Sequence, residues 1–146
     1  MIVYFDMSAL VKRYIREEGS DEVIALIEQA GTPGSSVLTQ VEMAAAIEKA
    51  ARISGASAEI ALEVWQDFLD DWLSFTRLRI SPGTIERACK IAWEYSLRGY
   101  AALHLAAALS WQEMLNAPVT LAAFDRDLWL AGRKAGMNAW PEGLVS

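Results

Sequence analysis

The stretch IVYFDMSALVKRY, residues 2–14, decides how the rest of the chain is read. Ile2 to Phe5 are β-prone and apolar without alternation, the mark of a short strand covered on both faces. Asp6 ends the apolar run at once, and Met7 begins a helical pattern that continues to about Glu17. A buried strand that turns straight into a helix is the opening of a parallel sheet, with an acid at the strand's carboxyl end. The same arrangement returns near the other end of the chain, where APVTLAAF (117–124) reads as a strand and Asp125 opens a helix closed by Gly136.

The segments between fit that frame. Ser20 reads as the cap of a helix with Asp21 and Glu22 in its first turn. After the turn-rich GTPGSS (31–36), SVL (36–38) is a short strand, and TQVE (39–42) is a capping box opening a helix to about Ser54. Ser57 caps a long aromatic helix to about Phe75. RLRI (77–80) is a brief strand, and Ser81-Pro82 places a cap before a proline at the first helical position. That helix ends at RGY (98–100), and an alanine-rich helix follows. Short apolar strands alternating with helices predict an α/β fold, a mainly parallel central sheet sandwiched between helices. With 146 residues, 53% hydrophobic, and no repeat, low-complexity tract or linker, residues 1–146 read as a single domain.

Composition removes several functional classes. Asp6 interrupts the first apolar run, no basic region precedes it, and no run approaches the ~20 residues that span a bilayer, so neither a signal peptide nor a membrane partner is expected. One cysteine, Cys89, makes no internal disulfide and no zinc site, which suits a reducing cytoplasm; it is expected in the core. A net charge of −6 argues against coating nucleic acid by bulk electrostatics. Lys12, Arg13 and Arg16 form a local basic cluster, expected as a solvated helix face. Trp65, Phe68, Leu69 and Trp72 share one helical face, expected in the core, with an exposed groove for a partner helix as the alternative.

In parallel sheets, ligands bind beyond the carboxyl ends of the strands. Asp6, Glu42 and Asp125 are placed there. Each has a plain structural role open to it, Asp6 and Asp125 as helix caps and Glu42 as the partner of Thr39 in the capping box. Three carboxylates brought to one cleft repel each other unless a cation joins them, and an oxygen-seeking Mg²⁺ or Mn²⁺ is the natural occupant. Other schemes lack parts. His104 has no serine or cysteine placed to pair with it and is expected as a packed, hydrogen-bonded helix residue. Phosphate-binding glycine motifs are missing. An aspartyl-phosphate enzyme built on Asp6 would want a second aspartate where Ser8 stands.

One helix breaks the pattern of careful capping. SLRGYAALHLAAALSW (96–111) offers no acceptor and no acid at its start, where Tyr100, Ala101 and Ala102 stand.

Taken in order, VYFDMSALVKRY (3–14), SSVLTQVEMAAAI (35–47), SLRGYAALHLAAAL (96–109) and LAAFDRDLWLAGRKAGM (121–137) resemble the PIN-domain ribonucleases, especially the VapC-type toxins of toxin–antitoxin pairs. The resemblance covers nearly the whole chain. It implies an α/β/α sandwich and a metal-dependent endoribonuclease that uses Mg²⁺ or Mn²⁺, with RNA as substrate, a cognate antitoxin and a homodimer as partners, and a cytoplasmic location. Residue by residue, it places metal-binding and catalytic acids at Asp6, Glu42 and Asp125, a supporting hydroxyl at Ser8 and an auxiliary acid at Asp127. It also implies an aspartate where the alanine-rich helix begins, at the position of Ala101. The bare helix start is therefore the place of a missing ligand, and the resemblance implies an impaired enzyme. The alternative is a PIN-like module that has lost catalysis and binds RNA or a protein.

Overall fold

A computed structural model describes residues 1–145. Its order of elements is β1 (Ile2–Phe5), α1 (Met7–Leu10), a 3₁₀ turn (Val11–Arg13), α2 (Ser20–Gln29), β2 (Thr32–Ser36), α3 (Leu38–Ser54), α4 (Ala58–Trp72), β3 (Thr76–Leu78), α5 (Pro82–Tyr95), α6 (Gly99–Leu115), β4 (Thr120–Ala122), α7 (Arg126–Lys134) and β5 (Asn138–Trp140). The five strands form one sheet in the order β3-β2-β1-β4-β5, every pair parallel. Successive β1 side chains point to opposite faces. Val3 and Phe5 join Ala122, Leu26, Met43 and Phe68 in the core under α1 to α4, while Tyr4 joins Leu121, Leu105 and Trp111 in the core under α5 to α7. The expected α/β/α sandwich with a parallel sheet is what forms.

Several boundaries differ from the sequence reading. The first helix stops at Leu10 and tightens into the 3₁₀ turn, because Tyr14 turns inward: its ring meets Phe68 edge-on and its hydroxyl donates to Asp71. Ser20 is the first helical residue, not the cap. Its hydroxyl accepts from the Glu17 N–H, and Gly19, at φ +90°, makes the turn. GTPGSS supplies most of a strand, so SVL is not one. Gly34 is required there, since a Cβ would stand 2.5 Å from the Trp111 ring.

The capping box at TQVE does not form. Thr39 is buried within the first turn of α3 and shares a 2.7 Å hydrogen bond with Ser35 Oγ, leaving Glu42 free for another partner. The aromatic helix ends at Trp72, only Arg77 and Leu78 of RLRI enter β3, and α5 stops at Tyr95 before the left-handed Ser96. β5 follows Gly136 as a strand that the sequence reading lacks.

Cys89 is exposed, contrary to expectation. The packing face of α5 is carried by Ala88 and Ile91, and Cys89 lies off it. The basic cluster is not one solvated helix face: Lys12, 13% exposed at its side chain, lies over the Phe124 ring and pairs with Glu17, Arg13 faces Asp71, and Arg16, beyond the 3₁₀ turn, pairs with Asp21. The aromatic stripe is core: Phe68 and Trp72 are buried, and Trp65 and Leu69 pack against them.

Candidate active site at the switch point of the sheet

From β1 the chain crosses to β2 on one side, and β4 is added on the other, so the crevice beyond the ends of β1 and β4 is the topological switch point. Asp6 follows β1 and Asp125 follows β4. A cleft of about 780 Å³ opens there, lined by Asp6, Ser8, Glu42, Ala101, Asp125 and Asp127 among others. The sequence-derived site residues all reach this one place.

Asp6 stands at the N-cap position of α1, yet its side chain caps nothing. The α1 start is held through its carbonyl, which accepts from the Ala9 and Leu10 N–H groups. The carboxylate, only 5% exposed, is left with one donor, Ser8 Oγ at 2.7 Å. Burial pushes its pKa up to about 6, while His104 and Ser8 pull it back and the Asp125 charge adds to the rise. Ser8 has a second task. Its oxygen accepts from the Phe124 and Asp125 N–H groups at 2.8 and 3.1 Å, which ties the loop after β4 to the loop after β1.

Asp125 does realise its capping role. Oδ1 accepts from the Asp127 and Leu128 N–H groups, while Oδ2 faces the Arg98 guanidinium at 3.3 Å. Asp127 lies exposed in the first turn of α7, at the cleft wall.

Glu42 reaches the cleft from α3, and His104 holds it there. Tyr4, fully buried, has its phenol pKa raised by desolvation, and its hydroxyl shares a 2.7 Å hydrogen bond with His104 Nδ1. The Nε2–H of His104 then donates to Glu42 Oε1 at 2.5 Å. His104 is a packed, hydrogen-bonded helix residue as expected. Its partners, invisible to sequence spacing, are what replace the capping box.

The start of α6 is as bare as its sequence. Arg98 at the N-cap makes no side-chain capping bond, and no acid stands in the first turn. Ala101 is the third helical residue rather than the cap. An aspartate at that position would meet the helix dipole and the cleft but would not be the N-cap.

The donor set fits a hard divalent cation in kind. Asp6 is a buried carboxylate with one hydrogen-bond donor and a like-charged neighbour, the environment a cation relieves. It falls short in number. Among the described residues no three of the Asp, Glu, His and Cys side chains are grouped so as to hold one ion, and Ala101 brings no donor to the cleft wall.

The Asp6 shift has a measurable consequence in chelator. The folded carboxyl keeps its proton up to about pH 6, whereas the ordinary carboxyl releases it near 3.8. The native state binds the extra proton between those values, so Asp6 costs nothing below about pH 4 and its cost grows as pH rises through about 6. Asp6→Asn removes that cost. Urea unfolding should show the variant more stable than the parent at pH 8, by up to about 3 kcal/mol, and no such gain at pH 4. An equal difference at both values would contradict the burial argument.

A PIN domain profile matches residues 3–132, most of the chain and every residue of the cleft. The chain belongs to the PIN-domain family. Ribonuclease VapC45 of Mycobacterium tuberculosis is 31% identical over 143 residues, covering 98% of this chain and 97% of that protein. Among solved structures, FitAB bound to an IR36 DNA fragment matches this PIN domain with a TM-score of 0.68 at 13% identity, over 95% of this chain and 94% of that one. VapBC2 from Rickettsia felis, bound to a DNA fragment from its promoter, matches with a TM-score of 0.61 at 14% identity, over 95% and 97%. At those identities the likeness speaks for the fold. No helix among the described residues is long and apolar enough to cross a membrane.

Proposed function

We propose that this PIN domain is the toxin of a toxin–antitoxin pair, a metal-dependent endoribonuclease that Ala101 leaves impaired. The carrying observation is Asp6: a buried carboxylate that caps no helix, accepts from one hydroxyl, and faces Asp125 across the switch point. A carboxylate kept in that position at a cost to stability is there for a cation. Asp6 and Asp125 would hold Mg²⁺ or Mn²⁺, with Glu42 as a further ligand or as the group that orients a water. Such an ion supplies Lewis-acid polarisation of the scissile phosphate and neutralises charge that develops on it.

The chain's own residues do the rest. Ser8 fixes the Asp6 carboxylate and binds together the two loops that carry Asp6 and Asp125. His104 presents Glu42 with one oxygen engaged and the other free. Asp127 adds negative charge at the wall as an auxiliary. The expected reaction is hydrolysis of an RNA phosphodiester, water attacking in line with the departing 3′-oxygen and leaving a 5′-phosphate. Kinship with a protein named a ribonuclease, and fold likeness to VapBC2, support that reading. A cytoplasmic location, a homodimer and a protein antitoxin complete it.

The test is expression in bacteria. Ala101→Asp should arrest growth and produce RNA fragments with 5′-phosphate ends, and the parent chain should do neither at equal expression. Growth unaffected by either form, with intact RNA, would favour the binding-module reading.

A further inference from the structure

The cleft presents a difficulty for a polyanion. Asp6, Glu42, Asp125 and Asp127 line it, and the cations beside them are Arg98 and Arg126. A phosphodiester chain entering a site with that balance needs contacts other than bulk charge. The rim supplies two kinds. Arg98 is 82% exposed at its side chain and touches only Asp125, and Arg126, exposed at the first position of α7, pairs with no carboxylate among the described residues. Tyr100, on α6, lines the same cleft and is 67% exposed, its hydroxyl without a hydrogen bond among the described residues. Large exposed apolar or aromatic side chains occur elsewhere on this surface, Trp93 and Leu73 among them, but of these Tyr100 alone lines the acid cleft.

We infer that Tyr100 is a stacking platform for an unpaired RNA base, with Arg98 and Arg126 contacting the phosphates on either side of it. Bases of a single strand can be splayed onto an aromatic face, whereas in an A-form duplex they are stacked on one another and closed to it. Tyr100, sharing the cleft with two guanidinium groups, is thus the side chain of this chain that would receive such a base. Arg98 has to leave Asp125 to reach a phosphate, so the same side chain pairs with the carboxylate before RNA arrives and with a phosphate afterwards. This deepens the ribonuclease reading and rests on it.

The experiment is fluorescence anisotropy with the full chain as it stands, using a short fluorescein-labelled single-stranded RNA and the same sequence as a duplex. The single strand should bind more tightly. Tyr100→Ala should weaken single-strand binding about tenfold, and Tyr100→Phe, which keeps the ring, should restore it. Arg126→Gln should lower the slope of log affinity against log salt by about one without removing the single-strand preference. Tyr100 is exposed on a helix, and an unchanged melting temperature for Tyr100→Ala confirms that the fold is intact. Equal binding by Tyr100→Ala and the parent, or equal binding of duplex and single strand, overturns the inference. If Ala101→Asp nevertheless cleaves RNA, the ribonuclease reading survives that failure. If neither the parent nor Ala101→Asp binds or cleaves RNA, both fall.

Discussion

Ala101→Asp is expected to raise metal-dependent RNA cleavage by at least about 100-fold over the parent chain, because loss of a group that merely orients a metal ligand already costs about 10–100-fold and a ligand itself costs more. The geometry is permissive. Residue 101 lies in the first turn of α6 and lines the cleft that Asp6 and Asp125 also line, and an added carboxylate there is favoured by the helix dipole by about 0.3–1 kcal/mol. Activity should vanish in EDTA and return with Mg²⁺ or Mn²⁺. Within the Ala101→Asp background, Asp6→Asn should remove it again. Labelled total RNA incubated with the two proteins reads this directly. Cleavage by the parent at the rate of the variant would mean that the existing carboxylates suffice and that position 101 has no part in the chemistry.

The second large effect is on stability. Phe68→Ala should cost about 3–5 kcal/mol, a large share of the roughly 5–15 kcal/mol that holds a domain together. Phe68 is 1% exposed, and its ring lies 5.5 Å from that of Tyr14, 5.4 Å from that of Trp65 and 5.3 Å from that of Trp72. Two of these neighbours are held back from collapsing into the space, Trp72 by its indole N–H to Gln40 and Tyr14 by its hydroxyl to Asp71. Trp93→Ala is the control. At 89% exposure it should change stability by no more than about 0.5 kcal/mol. Chemical unfolding of the three proteins measures both. A cost for Phe68→Ala under about 1 kcal/mol would mean that the aromatic stripe is not the core of this face.

What was legible in the sequence follows from which forces are local. The strand of residues 2–5, the cap and proline at Ser81-Pro82, the cap at Ser57 and the N-cap at Asp125 are decided by neighbours along the chain, and they stand where the sequence puts them. The misplaced strand at 36–38, the absent capping box at Thr39 and the exposed Cys89 were decided elsewhere. Trp111 demands a glycine under it, so a turn-like segment became strand. Ser35 takes the Thr39 hydroxyl, and His104 takes Glu42, each a partner that no spacing rule announces.

The convergence of the acids on one cleft was legible for a related reason. Acids at the ends of parallel strands must converge wherever the strand order reverses, so Asp6 and Asp125 could be paired from topology alone. The Tyr4, His104 and Glu42 chain could not, because it joins three elements across the sheet. The one signal for it was a lone histidine within the apolar run of residues 101–109.

The most direct measurement is the melting temperature of the parent and of Ala101→Asp, each in EDTA and in Mg²⁺. If position 101 is the missing oxygen donor of a cation site, the variant melts lower in EDTA, where a further buried carboxylate joins Asp6 and Asp125, and Mg²⁺ recovers the loss while moving the parent far less. Equal melting temperatures in all four conditions would contradict the account.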